Sequence, residues 1–74
     1  MKAHINIRGE YSKLRPAINL LDEVARYREG GRSVDVDCGE VVADYFYDDY
    51  DIAEIDYERI VDDDNKDQIK IEEW

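Results

Sequence analysis

Residues 12–31, "SKLRPAINLLDEVARYREGG", are the stretch that decides the fold. Pro16 is tolerated near the start of a helix, and Gly30–Gly31 provide a stop. Arg26 and Arg28 fall in the last predicted turn, where the helix dipole favours positive charge. We therefore predict one long amphipathic helix. Its apolar stripe follows the helical period and consists of Leu14, Ala17, Ile18, Leu21, Val24 and Ala25.

The segments on either side of this helix alternate between apolar and polar residues, as strands do. Before it, residues 2–9 (KAHINIRG) place three apolar side chains on one face. After it, alternation is found in residues 33–39 (SVDVDCG), 52–61 (IAEIDYERIV) and 68–74 (QIKIEEW). The last two segments are predicted to form a hairpin around a turn at residues 62–67.

Residues 40–50, "EVVADYFYDDY", permit two interpretations. As a helix, the segment would turn Val42, Tyr45 and Phe46 inward. As a strand, it would pair with residues 34–38 across a turn at Cys38–Gly39. The valine and tyrosine content favours the strand, but both alternatives remain open.

Together these segments predict a single α+β domain over residues 1–74, in the order β-α-β-(β or α)-β-β. Its small antiparallel sheet would have three to five strands, and the long helix would cover one face. A domain of this length buries only roughly 60–65% of its unfolded surface, so the core is thin. The predicted core is Ile5, Ile7, Leu14, Ile18, Leu21, Val24, Val34, Val36, Ile55, Ile69 and Ile71.

Composition predicts a soluble intracellular protein. The chain has no apolar run long enough to span a membrane, and Met1 leads directly into an alternating segment rather than a signal peptide. Cys38 is the only cysteine, so no internal disulfide can form. We predict that Cys38 is a small core residue on a strand.

The net charge of −10 is distributed unevenly along the chain. Residues 1–33 contain seven basic and four acidic residues, for a net charge of +3, whereas residues 34–74 contain three basic and sixteen acidic residues, for a net charge of −13. Adaptation to high salt would make the whole surface acidic, so it does not explain this asymmetry. Localised charge of one sign indicates an interaction surface.

The acidic charge is concentrated in residues 44–58, "DYFYDDYDIAEIDYE", which hold seven carboxylates, four tyrosines and no lysine or arginine. If residues 52–61 form a strand, same-face residues lie roughly 6.7 Å apart. The sheet face opposite the helix would then carry a row of negative charge, with an ordinary solvated face as the alternative explanation. The expected acids of that face are Asp35, Asp37, Glu54, Asp56 and Glu58.

The sequence contains no pattern that predicts catalysis or a metal cofactor. A calcium loop starting at Asp62 and ending at Glu73 would place Lys66 at a ligand position and Asp67 where glycine is required. A zinc site would lack its usual ligands, because His4 is the only histidine. There is no phosphate loop, nucleophile elbow or Cys–His pair. We predict neither an enzyme nor a cofactor.

Direct binding to nucleic acid is disfavoured, because the excess of negative charge would oppose contact with phosphates. The same carboxylates resemble a phosphate backbone and would be attracted to the basic groove of a nucleic-acid-binding protein. Tyrosines add rigid contact area and accept arginine stacking. The predicted partner-binding residues are Asp44, Tyr47, Asp48, Asp49, Tyr50, Asp51, Glu54, Asp56 and Glu58.

In its size, its charge asymmetry and this acidic, tyrosine-containing run, the chain resembles the small phage-encoded nucleic-acid mimics. These include anti-CRISPR proteins, anti-restriction proteins and uracil-DNA glycosylase inhibitors. The resemblance implies an inhibitor that occupies the DNA- or RNA-binding site of a bacterial defence nuclease or guide-RNA complex, and we expect an anti-CRISPR protein. The alternatives are an antitoxin or immunity protein that neutralises a basic toxin nuclease, and a regulatory module whose acidity only confers solubility.

Overall fold

A four-stranded antiparallel sheet and two helices make up the part of the chain that the computed structural model describes, residues 2–25 and 31–73. The strand order is β2-β3-β1-β4, which is the split β-α-β arrangement of ferredoxin-like folds. An α+β fold with a small antiparallel sheet is confirmed, but the prediction of a single helix is wrong. The elements are β1 (Ala3–Glu10), α1 (Tyr11–Ala25), β2 (Arg32–Asp37), β3 (Glu40–Tyr47), α2 (Tyr50–Ile60) and β4 (Ile69–Glu73).

Strand β1 and helix α1, which both form as predicted, supply much of the core. Strand β1 lies between β3 and β4 and turns Ala3, Ile5 and Ile7 towards the helices, where they are buried. From α1, the buried residues are Leu14, Ala17, Ile18 and Leu21, as the helical period predicts. The expected last turn with Arg26 and Arg28 lies outside the described residues.

The junction between β1 and α1 has no linker, and Gly9 makes it possible. Gly9 lies within β1 with a φ of 154°, in the region that favours glycine. A Cβ at this position would lie 3.0 Å from Gln68 Cγ and 3.1 Å from Leu14 Cδ1. The chain then enters the helix at once, and the amide of Tyr11 donates a 2.8 Å hydrogen bond to the carbonyl of Gly39.

Residues 40–47 are a strand, which decides between the two interpretations of this segment. Strand β3 pairs with β2 across the predicted turn, in a register that joins Asp37 to Glu40. Cys38 and Gly39 both have positive φ, at 53° and 81°, as a two-residue type I′ turn requires. The prediction that Cys38 is a core residue is wrong, because it is exposed at the tip of this turn.

Strand β2 is less buried than its alternating pattern predicts. Val34 and Val36 do face the helix side of the sheet, but they remain 37% and 50% exposed. The helices pack on β1, β3 and β4 and leave this edge strand uncovered. An ion pair between Asp22 of α1 and Arg32 ties the start of β2 to the helix layer.

Asp22 also accepts a 2.9 Å hydrogen bond from the hydroxyl of Tyr45. Burial raises the pKa of this tyrosine, and the hydrogen bond to Asp22 and the charge of its carboxylate raise it further. Through Asp22, the helix α1 is therefore connected to both strands of the β2–β3 hairpin.

Residues 50–60 form helix α2, so the predicted strand and its hairpin with residues 68–74 are wrong. Strand β4 instead pairs with β1, in a register that joins Ile7 to Ile69. Ile55 is 51% exposed and is not a core residue, whereas Val24 and Ile71 are partly buried against the core. The buried apolar residues that the predicted core lacked are Ala3, Ala17, Val41, Ala43, Tyr45, Tyr47, Ala53 and Ile60.

The sheet face opposite the helices is mixed in charge rather than uniformly acidic. Asp35 and Asp37 lie on it, as predicted, because side chains alternate along β2 and Val34 and Val36 face the helices. Arg8 and Lys70 lie on the same face, on β1 and β4. The remaining acids of the expected row belong to α2, so the prediction of a carboxylate row on this face is wrong.

Candidate protein-binding surface

The acids that begin α2 have a structural role at the N-terminus of the helix. Asp49 is the N-cap, with extended backbone angles, and its side chain accepts a 2.9 Å hydrogen bond from the amide of Asp51. The positive end of the helix dipole favours Asp51 in the first turn. Asp48 is exposed just before the cap. Part of the charge in the acidic run is therefore explained by helix formation.

The exposed side of α2 carries Asp51 together with two acids, Glu54 and Glu58, that helix formation does not explain. Asp51, Glu54, Ile55 and Glu58, which we call the α2 stripe, are all exposed. At 3.6 residues per turn they fall within about 100° of the helix circumference and span about 10 Å of its axis. The acidic row predicted for a strand is thus present in part, on a helix.

Glu58 is placed where it costs stability. It lies four residues after Glu54, and like charges at this spacing destabilise a helix. It also lies near the C-terminal end of α2, where the helix dipole disfavours negative charge. Among the described residues, the ion pairs are His4–Asp44 and Asp22–Arg32, and neither involves the α2 stripe. A helix optimised only for folding would carry lysine at this position.

Two predicted partner-binding residues, Tyr47 and Asp56, lie in the core. Asp56 is 0% exposed, and its Oδ2 accepts a 2.9 Å hydrogen bond from the hydroxyl of Tyr47. Tyr47 extends from β3 beneath α2, so the bond joins the sheet to the helix. The expectation that these two side chains form part of an exposed surface is wrong.

Asp44 lies on the open face of the sheet, away from the α2 stripe. Its Oδ1 is 2.7 Å from His4 Nε2 and accepts a 2.9 Å hydrogen bond from Asn6 Nδ2. The hydrogen bond from Asn6, together with His4 and the charge of Arg8, holds the pKa of Asp44 below its usual value despite partial burial. The ring of His4 also stacks on Phe46, with centroids 4.8 Å apart. The structure therefore does not bring Asp44 together with the other predicted binding residues.

The aromatic contribution to the surface also differs from the prediction. Tyr50 is half-buried at the start of α2 and packs against the core. Ile55 supplies exposed apolar area on the α2 stripe instead. The helical spacing of Asp51, Glu54 and Glu58 could have predicted this surface. Residues 52–61 also alternate between apolar and polar residues, however, and this alternation favoured a strand.

The acidic loop after α2 is organised by its own side chains. The Oδ1 of Asp62 accepts hydrogen bonds from the amides of Asp64 and Asn65, at 2.8 and 3.0 Å. Asn65 is buried. Its Oδ1 accepts a 2.7 Å hydrogen bond from the amide of Asp62, and its Nδ2 donates a 2.9 Å hydrogen bond to the carbonyl of Ile60. In the described parts of the chain, no group of three or more His, Cys, Asp or Glu side chains is placed to hold a metal ion.

Comparison of the chain with protein-family models, with curated proteins and with solved structures finds no match in any of the three. Neither of the two helices in residues 2–25 and 31–73 has the length and the apolar character needed to cross a membrane.

Proposed function

We propose that this protein is an inhibitor that mimics the charge of nucleic acid, and that the α2 stripe is its binding surface. Its target would be the DNA- or RNA-binding site of a bacterial defence nuclease or guide-RNA complex, as in anti-CRISPR proteins. It would act in the cytoplasm of the bacterial host cell. The observation that carries the proposal is Glu58, an exposed carboxylate that opposes both Glu54 and the helix dipole.

The density of charge on the α2 stripe supports the proposal. The three carboxylates lie on average about 5 Å apart along the helix axis, which is of the same order as the ~3.4 Å per phosphate along one strand of duplex DNA. Asp48 and Asp49 extend the charge before the helix, and Asp62, Asp63 and Asp64 extend it afterwards. A basic groove built for phosphates would therefore meet a similar electrostatic pattern.

Ile55 adds an apolar side chain to the same surface. It is 51% exposed and lies about one helical turn from both Asp51 and Glu58. Binding surfaces commonly combine a small apolar centre with a charged rim. The α2 stripe can therefore supply contact area as well as attraction.

The partner can be identified by capture from bacterial lysate and separated from nonspecific capture by a matched pair of variants. Glu54→Lys/Glu58→Lys reverses two charges of the α2 stripe. Asp35→Lys/Glu72→Lys reverses two exposed charges on the open sheet face and gives the same net charge. We expect the first variant to lose a nucleic-acid-binding partner that the wild type and the second variant both retain.

The identity of that partner distinguishes the proposed inhibitor from its alternative. A restriction nuclease or guide-RNA complex supports the inhibitor of host defence, and a toxin nuclease of the same cell supports an antitoxin or immunity protein. If both variants lose the partner equally, net charge alone attracts it and the α2 stripe is not the binding surface. If neither loses it, the proposal is wrong.

A further inference from the structure

The free edge of β2 carries carboxylates that have no cationic partner. Within the described residues, β2 pairs only with β3, so its other side is open. Asp35 and Asp37 are exposed on this strand, and neither belongs to an ion pair among the described residues. Arg32, the one basic residue of β2, is already paired with Asp22. The uncompensated charge of this edge is therefore negative.

A row of three carboxylates crosses the sheet and ends at the same edge. The register places Glu10 directly opposite Glu40, and Glu40 directly opposite Asp37, on three adjacent strands. All three side chains are exposed. Like charges directly opposite each other on a sheet are destabilising, so folding alone does not account for this row. A cation on a strand added beside β2 would lie next to Asp37 and offset the repulsion.

The hydrogen-bonding groups of the edge can be assigned from one contact. The amide of Phe46 donates a 2.8 Å hydrogen bond to the carbonyl of Gly31, its opposite residue, so this is a hydrogen-bonded pair. Such pairs alternate along an antiparallel ladder. The N–H and C=O groups of Arg32, Val34 and Val36 therefore point away from β3, towards the open edge. Val34 and Val36 also expose apolar side chains on the helix side of the edge.

We propose that β2 binds an extended, antiparallel segment of a basic protein in which basic residues alternate with apolar residues. The apolar residues lie opposite Val34 and Val36, in hydrogen-bonded pairs. The basic residues lie opposite Asp35 and Asp37, in the non-hydrogen-bonded pairs, where opposite side chains are closest. Opposite charges at such positions stabilise strand pairing. The main chain then supplies affinity, and the alternating side chains supply specificity.

Charge selects this occupant over a second copy of the chain. The net charge of −10 repels another copy and attracts a cationic segment. The surface is separate from the α2 stripe, because α2 packs over β1, β3 and β4. The proposal therefore does not depend on the function proposed for that stripe.

The other edge of the described sheet, β4, does not offer the same pattern. Its open face carries Lys70 as well as Glu72, so its charges already include both signs. Ile69 on its helix side is buried and gives an incoming strand no apolar contact. Exposed valines that alternate with unpaired carboxylates are found at the β2 edge instead.

A fluorescein-labelled peptide of alternating lysine and valine, six residues long like β2, tests the proposal by fluorescence anisotropy during titration with the whole protein. Two N-methylated peptides of the same sequence and charge separate strand pairing from general attraction. Methylation of the valine amides removes the N–H groups that face β2 and should weaken binding by more than about tenfold. Methylation of the lysine amides, which face away, should have little effect.

A matched pair of protein variants tests the contribution of charge. Asp35→Lys and Glu72→Lys make the same change in net charge, but Glu72 lies at the opposite edge of the sheet. We expect Asp35→Lys to weaken binding of the lysine–valine peptide by about tenfold, and Glu72→Lys to weaken it far less. In the complex, hydrogen exchange followed by NMR should show new protection of the Arg32, Val34 and Val36 amides.

Three results would overturn the proposal. A wild type that does not bind the peptide, or binds it without protecting the β2 amides, shows that the edge is not the site. Equal binding of the two methylated peptides, or equal losses in Asp35→Lys and Glu72→Lys, shows that net charge alone attracts the peptide. Binding that is lost in Glu54→Lys/Glu58→Lys and retained in Asp35→Lys places the peptide on the α2 stripe.

Discussion

Asp56 is the single residue that most changes the interpretation of the acidic run. Its side chain is fully buried and accepts a hydrogen bond from Tyr47. Buried carboxylates are rare unless they are hydrogen-bonded or paired. A charged residue in this sequence is therefore not necessarily a surface residue. Ala53 and Asp56 are three residues apart because both lie on the buried side of α2.

Replacing Asp56 should test this structural role. Asp56→Ala removes a buried hydrogen bond between the helix and Tyr47 of the sheet, and the loss of one partner of a buried hydrogen bond costs about 1–3 kcal/mol. We expect the free energy of unfolding in urea to fall by this amount. The control is Glu54→Ala on the exposed side of the same helix, which should change stability by less than about 0.5 kcal/mol. Equal effects of the two substitutions would mean that Asp56 is not buried as described.

Asp44 should contribute to the pH dependence of stability. Its pKa in the folded protein is lowered, chiefly by the hydrogen bond from Asn6. Its contribution is therefore fully present above the unfolded pKa of about 3.9 and is lost as the pH falls through the folded value. Asp44→Asn should lose less stability than the wild type when urea unfolding is repeated at decreasing pH in the acidic range. An identical acid dependence would contradict the assigned hydrogen bonds.

At the scale of elements, the sequence predicts the secondary structure correctly where a segment fits either the helical period or the alternation of a strand, but not both. Residues 12–25 have the helical period alone, and residues 2–9 alternate alone, so α1 and β1 form as expected. Residues 52–61 fit both periods. Alternation groups Ala53 with Ile55 and Tyr57, whereas the helix buries Ala53, Asp56 and Ile60.

Two features of residues 52–61 favoured the two-residue period of a strand over the helical period. A polar residue, Asp56, occupies a buried helical position, and an apolar residue, Ile55, occupies an exposed one. The signal that favours the helix is Asp49, an N-cap just before the segment. For β2, alternation gave the correct face of Val34 and Val36. It could not indicate that the helices lie over the other strands, because this depends on the whole sheet.

The N-cap of α2 gives a prediction at this scale. Asp49→Ala removes the hydrogen bond to the amide of Asp51 and should cost about 0.5–2 kcal/mol of stability. Asp48→Ala, one residue earlier, makes an equal change in charge without touching the cap. We expect it to change the urea midpoint only slightly. A larger loss in Asp48→Ala than in Asp49→Ala would contradict the position of the helix start.

At the scale of the whole molecule, the acidic and basic halves of the sequence do not form two separate faces. The open sheet face carries the basic residues Arg8 and Lys70 among its acids, whereas the charged residues of the α2 stripe are all carboxylates. The sequence predicted most of the stripe's residues but assigned them to the wrong secondary structure. The grouping of the acids depends on α2 packing beside α1 on one face of the sheet.

The central claim is that the α2 stripe competes with nucleic acid for a shared site on the partner. The direct measurement is the fluorescence anisotropy of labelled DNA or RNA bound to the captured partner, during titration with this protein. We expect complete displacement by the wild type, with an affinity that falls as salt rises.

Glu58→Lys sharpens the same measurement, because it should act in opposite directions on stability and on binding. It replaces the repulsion by Glu54 with an attractive pair worth about 0.2–0.5 kcal/mol, so the variant should be more stable in urea yet displace the nucleic acid less well. Glu72→Lys, on the open sheet face, is the control of equal charge and should displace it as the wild type does. A partner that binds this protein and its nucleic acid together at full affinity, or a Glu58→Lys variant that competes as well as the wild type, would contradict the claim.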